Sequence, residues 1–145
     1  DDSHKPLQAI SELAELHQTL VEMKTPEKAD AADQRFHQVI SQATRNNAIL
    51  ISVENLWQLR RTVPQVVSAY SEVCSQGNEQ RLKEHTAIYD AIANKDPAGA
   101  RRAMHYHFNR LINALFDASE AKALEEIKRK TDETRDLYSI SHLSQ

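Results

Sequence analysis

The sequence predicts an all-α protein, an antiparallel bundle of about six helices, and three observations carry that expectation. Only 2 glycines and 4 prolines interrupt 145 residues, so regular backbone has few obligatory breaks. Apolar residues recur at steps of three and four through most of the chain, the period of one helical face. Three of the prolines, Pro6, Pro26 and Pro97, stand just before such a stretch, where the ring suits a first helical turn and the missing amide costs no hydrogen bond.

Taken in order, Leu7, Ile10, Leu13, Ala14, Leu16, Leu20 and Val21 form the buried stripe of a first helix. Thr25 is placed to cap a second that starts at Pro26, with Phe36, Val39, Ile40 and Ala43 facing inward, and Asn46-Asn47 breaks it. A third helix starts at about Asn47 and is kinked or ended near Pro64, where an amide donor is lost and the ring clashes with the preceding turn. The fourth follows to about Cys74, and Ser75-Gln76-Gly77-Asn78 is a turn by composition. The next helix carries Leu82, His85, Ile88, Tyr89 and Ile92. Asp96-Pro97 caps and starts the one after it, which carries Ala100, Ala103, Met104, His107, Leu111, Ala114 and Leu115 on one side. From Ala118 the chain turns charged, with Glu125-Glu126-Ile127-Lys128-Arg129-Lys130, so an exposed or partner-packed helix and a loose Ser-rich end are expected there.

Residues 1–145 read as one domain, with a core over about 7–116 and a charged helical tail over about 118–145; 40% hydrophobic content is enough for one compact core. Net charge of -3 and a pI near 6.2 argue against a nucleic-acid surface on these residues. Any DNA-binding part is expected elsewhere. Cys74 is alone, so no intrachain disulfide forms, which suits the cytoplasm. No apolar run reaches the roughly 20 residues of a membrane span, and no signal stretch opens the chain. It begins at Asp1 without Met, as a fragment or a processed chain would.

Four residues suggest a metal site. Asp33 and His37 stand four apart in Asp-Gln-Arg-Phe-His, which puts a carboxylate and an imidazole on one helical face, and His85 and His107 come from two further helices. Three nitrogens and one oxygen suit a first-row divalent cation, zinc first, with nickel, manganese or iron as alternatives. Pair by pair the spacing arises often by chance, and solvated or core-edge histidines fit it equally.

The surrounding residues point further. Asp33-x-x-Phe36-His37, Glu84-His85-x-x-Ile88-x-x-Ala91-Ile92 and Asp96-x-x-Ala-x-Arg-x-Ala-Met104-x-x-His107 together resemble the C-terminal effector-binding domain of GntR-type transcriptional regulators of the FadR subfamily, from about Leu7 to about Phe116. The resemblance implies a helical bundle holding a metal through Asp33, His37, His85 and His107, a homodimer, and a winged helix-turn-helix DNA-binding domain that these residues lack. It also implies one further opening helix, before Lys5, that is missing here. Within the class, the Asn55-Leu-Trp-Gln-Leu-Arg-Arg and Leu111-Ile-Asn-Ala-Leu-Phe stretches look most like repressors of hexuronate catabolism, with glucuronate, galacturonate or fructuronate as effector.

His105 lies two positions from His107, a turn of about 200°, so it faces solvent or an interface. His4, His17 and His142 sit in polar or terminal contexts, as surface histidines do. Glu84 is the kind of carboxylate that orients a metal-bound imidazole, but its position about 100° round the helix from His85 favours a salt bridge or a solvated face. Arg60 ends the Ile49-Val53-Leu56 stripe, where its planar fork would capture a carboxylate or else snorkel to solvent; Ser52 and Asn55 are weaker candidates for ligand contact, Arg61 weaker still. Trp57 and Phe36 suit the core.

The preferred function is a sensor in which a small carboxylate replaces metal-bound water and biases the spacing of attached DNA-binding heads. A helical dimerisation module with a purely structural metal is one alternative. A metal-dependent hydrolase is another, but no nucleophile–base pair, phosphate loop or His-Glu-x-x-His accompanies the site, so no enzyme is expected.

Overall fold

The computed structural model describes residues 5–22, 25–76 and 78–139, and over them the protein is six helices with no strand. They are α1 (Lys5–Glu22), α2 (Pro26–Ala43), α3 (Asn47–Thr62), α4 (Pro64–Gln76), α5 (Asn78–Ala93) and α6 (Pro97–Leu137). The all-α bundle expected from the periodicity is the fold found. His4, His142, Gly77 and the Ser-rich end beyond Ser139 lie outside the described residues.

Side-chain caps set three of the starts. Thr25 accepts a hydrogen bond from the Lys28 amide at 3.2 Å, Asn46 Oδ1 from Ala48 at 3.0 Å, and Asp96 Oδ1 from Gly99 at 2.8 Å, each satisfying an amide that the helix leaves without a partner. A Cβ at Gly99 would collide with the Asp96 carboxylate, so a larger residue there would make the cap side chain shift. Two stops share one device: Arg45 and Lys95, just beyond α2 and α5, both take φ of 55°, the left-handed conformation that reverses the chain into the next cap. α3 ends because Pro64 forces Val63 into extended backbone, with ψ at 111°.

The helices close a ring. α1 packs on α2, α2 on α3, α3 on α4, α4 on α6, α6 on α5, and α5 back on α1. Leu13, Phe36, Val39 and Ile88 are its buried apolar centre, with Leu16, Ile40, Tyr89, Ile92 and Met104 packed round them. His17 departs from the expected surface role, since its ring stacks on Tyr89 at 5.2 Å and shares a 2.7 Å hydrogen bond with Thr86 Oγ1, tying α1 to α5.

The tail is not a separate element. α6 runs unbroken for 41 residues, because neither Gly nor Pro falls between Gly99 and its end. Beyond Ala118 every residue to Tyr138 is exposed, and the helix there is laced by Arg129–Glu126, Arg129–Glu133 and Lys130–Glu126 pairs along its own surface. No helix among the described residues is long and apolar enough to cross a membrane.

Candidate metal centre

Inside the ring, α2, α5 and α6 each bring histidine to one point. His37, His85 and His107 are buried, and one ring nitrogen from each lies within 4.8 Å of the others, close enough to hold a single ion. Asp33 joins them from one turn before His37, with Oδ1 at 2.7 Å from His85 Nε2 and 3.4 Å from His37 Nε2. His105, two residues from His107, is exposed.

The outer edges of two rings are fixed by acceptors. His85 Nδ1 lies 2.8 Å from the Arg81 carbonyl, and His107 Nδ1 lies 2.8 Å from Glu84 Oε2. A carbonyl or a carboxylate accepts only, so both Nδ1 atoms carry the proton and donate. Each Nε2 is then left with its lone pair toward the cluster, the arrangement in which a histidine serves a metal. For His85 the consequence is sharp: its Nε2 faces the Asp33 oxygen at 2.7 Å, and two lone pairs that close need a proton or a cation between them. The donor set fits a first-row divalent ion.

The charges agree with that chemistry. Burial by itself would raise the Asp33 pKa, but the His37 and His85 rings beside it outweigh burial and hold the carboxyl well below its ordinary range. Burial pushes His107 down to about 4 against the opposing pull of Glu84, so the ring is neutral near pH 7 and able to donate its lone pair. Glu84 is depressed despite its burial by hydrogen bonds from Arg110, His107 and Gln80.

Glu84 corrects an expectation. Its side chain is 1% exposed and sits between His107 and Arg110 of α6. Stepping about 100° from His85 turned it toward the neighbouring helix of the ring, where α6 supplies both partners. It is therefore the outer carboxylate of His107 as well as one half of a salt bridge.

A cavity of about 530 Å³ opens on this cluster, lined by Asp33, His37 and His107 and walled mainly by apolar side chains of α3, α4 and α6. Arg60 lines it, with a side chain only 15% exposed, so it does not snorkel to solvent. Its guanidinium lies between the Trp57 and Tyr70 rings, 4.2 and 4.5 Å from their centroids, and pairs with Asp30 at 2.7 Å while standing 3.6 Å from Asp33. Trp57 is buried and also lines the cavity. Ser52 and Asn55 do not reach it. Both are exposed on the outer side of α3, whose inward face is taken by Val53, Trp57 and Arg60, and the Ser52 hydroxyl donates to Ala48 of its own helix. Arg81 and Arg110 line the cavity as well. Spacing could have found them, since they stand four before His85 and three after His107, on the same helical faces.

The family model described as the FCD domain matches residues 3–110. The Uxu operon transcriptional regulator of Escherichia coli (strain K12) is 27% identical over 95 residues, 65% of this chain and 37% of that protein. The Uxu operon regulator of Haemophilus influenzae is 27% identical over 93 residues, covering 63% and 35%. The Exu regulon transcriptional regulator of Escherichia coli (strain K12) is 29% identical over 85 residues, covering 59% and 33%. The chain thus spans little more than a third of the length of these relatives. No solved structure matches at the same level of significance.

Proposed function

Since the chain belongs to the FCD domain family, the FadR C-terminal-like domains of GntR-type regulators, we propose that it is the ligand-sensing domain of a transcriptional repressor and not an enzyme. It binds one divalent cation through Asp33, His37, His85 and His107, with zinc preferred and nickel, manganese or iron as alternatives. A small organic acid takes the remaining coordination from the cavity side. The regulators of Uxu and Exu operons among its relatives support a hexuronate as that acid. DNA is bound by a separate winged helix-turn-helix domain of a cytoplasmic homodimer, and the acid biases the spacing of the two heads.

The observation that carries this reading is the pair of fixed ring tautomers, which aim the Nε2 lone pairs of His85 and His107 at one point beside Asp33. Bound there, the cation supplies a positive anchor for a carboxylate. The chain's own part is to hold the rings, through Arg81 and Glu84, and to keep Arg60 pre-set between two aromatic faces so that ordering it costs little on binding. A purely structural metal would need no approach, whereas His37, His107 and Arg60 all line the cavity, which favours the sensor.

The test is metal analysis of protein purified without chelator, followed by calorimetry with glucuronate, galacturonate and fructuronate. One ion per chain and binding that chelator abolishes are expected. Binding that persists unchanged after metal removal rejects the anchoring role.

A further inference from the structure

Two apolar faces run along α6, and they turn to opposite sides of it. Met104 packs on the core, and His107, Leu111 and Leu115 line the cavity, so that stripe looks into the bundle. Ile112, Phe116, Leu124, Ile127, Leu137 and Tyr138 fall instead within an arc of about 140° on the far side, at about 100° per residue. Each of these six is between 47% and 79% exposed. Glu120 and Lys130 are the charged residues inside the arc, while Glu126, Arg129 and Glu133, which pair along the helix, lie outside it. A helix that lives in water on its own ion pairs has no need of an apolar side. The arc therefore belongs to a second surface.

Size and charge both match a second copy of the same helix. At roughly 200 Å² for a large side chain, the exposed parts of the six come to about 750 Å², close to the roughly 800 Å² that each partner gives a standard interface. Glu120 and Lys130 stand ten residues apart. Parallel pairing of two copies would set each against its own kind, whereas antiparallel pairing about a two-fold axis midway between them sets each against the other. Lys130 also reaches Glu126 of its own helix at 3.3 Å, but both side chains are well exposed and the pair holds it weakly. The same register puts Ile127 over the small Ala123 of the second copy and Phe116 over its Thr134, large against small, as packed helices require.

We propose that this arc of α6 is the dimer surface, two copies laying the ends of α6 side by side and antiparallel over positions 112–138. The inference takes from the functional reading only that the sensor is a homodimer, and it assigns the surface and its direction. Tyr138 of the second copy then lies beside Ile112, which stands on the cavity wall. The effector site of one copy thus borders the helix end of the other. In the dilute monomer the arc stays in solvent, and there the tail adds to the bundle only its own ion pairs.

Sedimentation equilibrium of the full chain, with zinc content measured in parallel, tests it. A dimer at micromolar concentration is expected for the wild type and for Ile51→Glu, which charges an exposed apolar residue of α3 away from the arc. Ile127 occurs twice in the interface, so Ile127→Glu should weaken dimerisation at least about hundredfold, while circular dichroism and zinc content hold. Carbodiimide joins a carboxylate to an amine in contact and should link Glu120 to Lys130 in the dimer. Ten residues of helix, about 15 Å, keep those two apart within one chain. A dimer that Ile127→Glu leaves intact, or that Ile51→Glu breaks equally, overturns the surface and leaves the homodimer to some other face. A wild type that stays monomeric overturns both and gives the arc to a different partner. A dimer that Ile127→Glu breaks but that yields no Glu120–Lys130 link overturns the antiparallel register. Loss of zinc or acid binding in the wild type would strike the sensor reading and leave the dimer surface untouched.

Discussion

At the residue scale, one histidine among close neighbours separates a ligand from a bystander. His85→Ala or His107→Ala should remove most of the bound metal, and His105→Ala, altering an exposed ring, should leave it in place; equal losses in all three would refute the assignment. Glu84→Gln keeps the shape but weakens the grip on His107, and outer partners of this kind are worth about 10- to 100-fold in metal affinity, measurable by competition with a chelator. Acid sensitivity has a definite sign. His107 titrates near 4 when folded and near 6.5 when unfolded, so between those values the unfolded chain binds more protons. Its contribution is whole above about pH 6.5 and is lost as pH falls toward 4, by roughly 3 kcal/mol at most. Asp33 is depressed well below the ordinary range, so its contribution persists through that window and fails only at lower pH. Urea melts of metal-free protein at pH 7 and pH 5 check this, and a midpoint that does not move contradicts it. Asp33 and His37 were legible as a pair from their four-residue spacing, whereas His85 and His107, each alone on its helix, were singled out through the family resemblance. Glu84 was not legible, because the two ionisable groups it touches, His107 and Arg110, belong to the neighbouring helix; Arg81 and Arg110 were passed over although their spacing from His85 and His107 places them on the same faces.

At the element scale, the caps and the prolines were legible while the length of α6 was not. Thr25, Asp96 and Pro64 act locally, and their chemistry needs no knowledge of the rest of the chain. The change from apolar to charged composition at Ala118 suggested a boundary, but composition ends a core without ending a helix, and only a breaker does the latter. The exposed end of α6 lives on its own surface ion pairs, worth roughly 0.3 to 0.5 kcal/mol each. Truncation after Ala123 should therefore lower the helical circular dichroism signal yet shift the thermal midpoint by only a degree or two; a large drop would mean that the tail packs on the bundle. Lys95 offers a gain. Its φ of 55° costs a side chain about 1 to 2 kcal/mol, and glycine would relieve that while adding some freedom to the unfolded chain. Lys95→Gly should stabilise by roughly 0.5 to 1 kcal/mol in denaturant melts, and a loss of stability would show that the turn is not strained.

At the scale of the whole molecule, the ring explains why one small ion should matter so much. α5 and α6 pack extensively on each other while α2 meets them far less, so an ion held by His37, His85 and His107 would tie α2 to that pair at the centre. Metal at a hundredfold excess over its dissociation constant adds about 2.7 kcal/mol, a rise in melting temperature on the order of 10 °C for a domain of this size; no shift on adding EDTA would count against a bound ion. The proposed homodimer predicts a particle of twice 16.5 kDa by light scattering at micromolar concentration, and a particle of 16.5 kDa alone would contradict it. One feature reaches beyond the bundle. His107 and Leu137 stand thirty residues apart on one unbroken helix, about 45 Å at 1.5 Å per residue. α4 packs along part of that length, with Lys122 Nζ donating to Ser68 Oγ at 3.1 Å, so any shift of α6 at the histidine cluster would be carried with α4 to the exposed end of the helix.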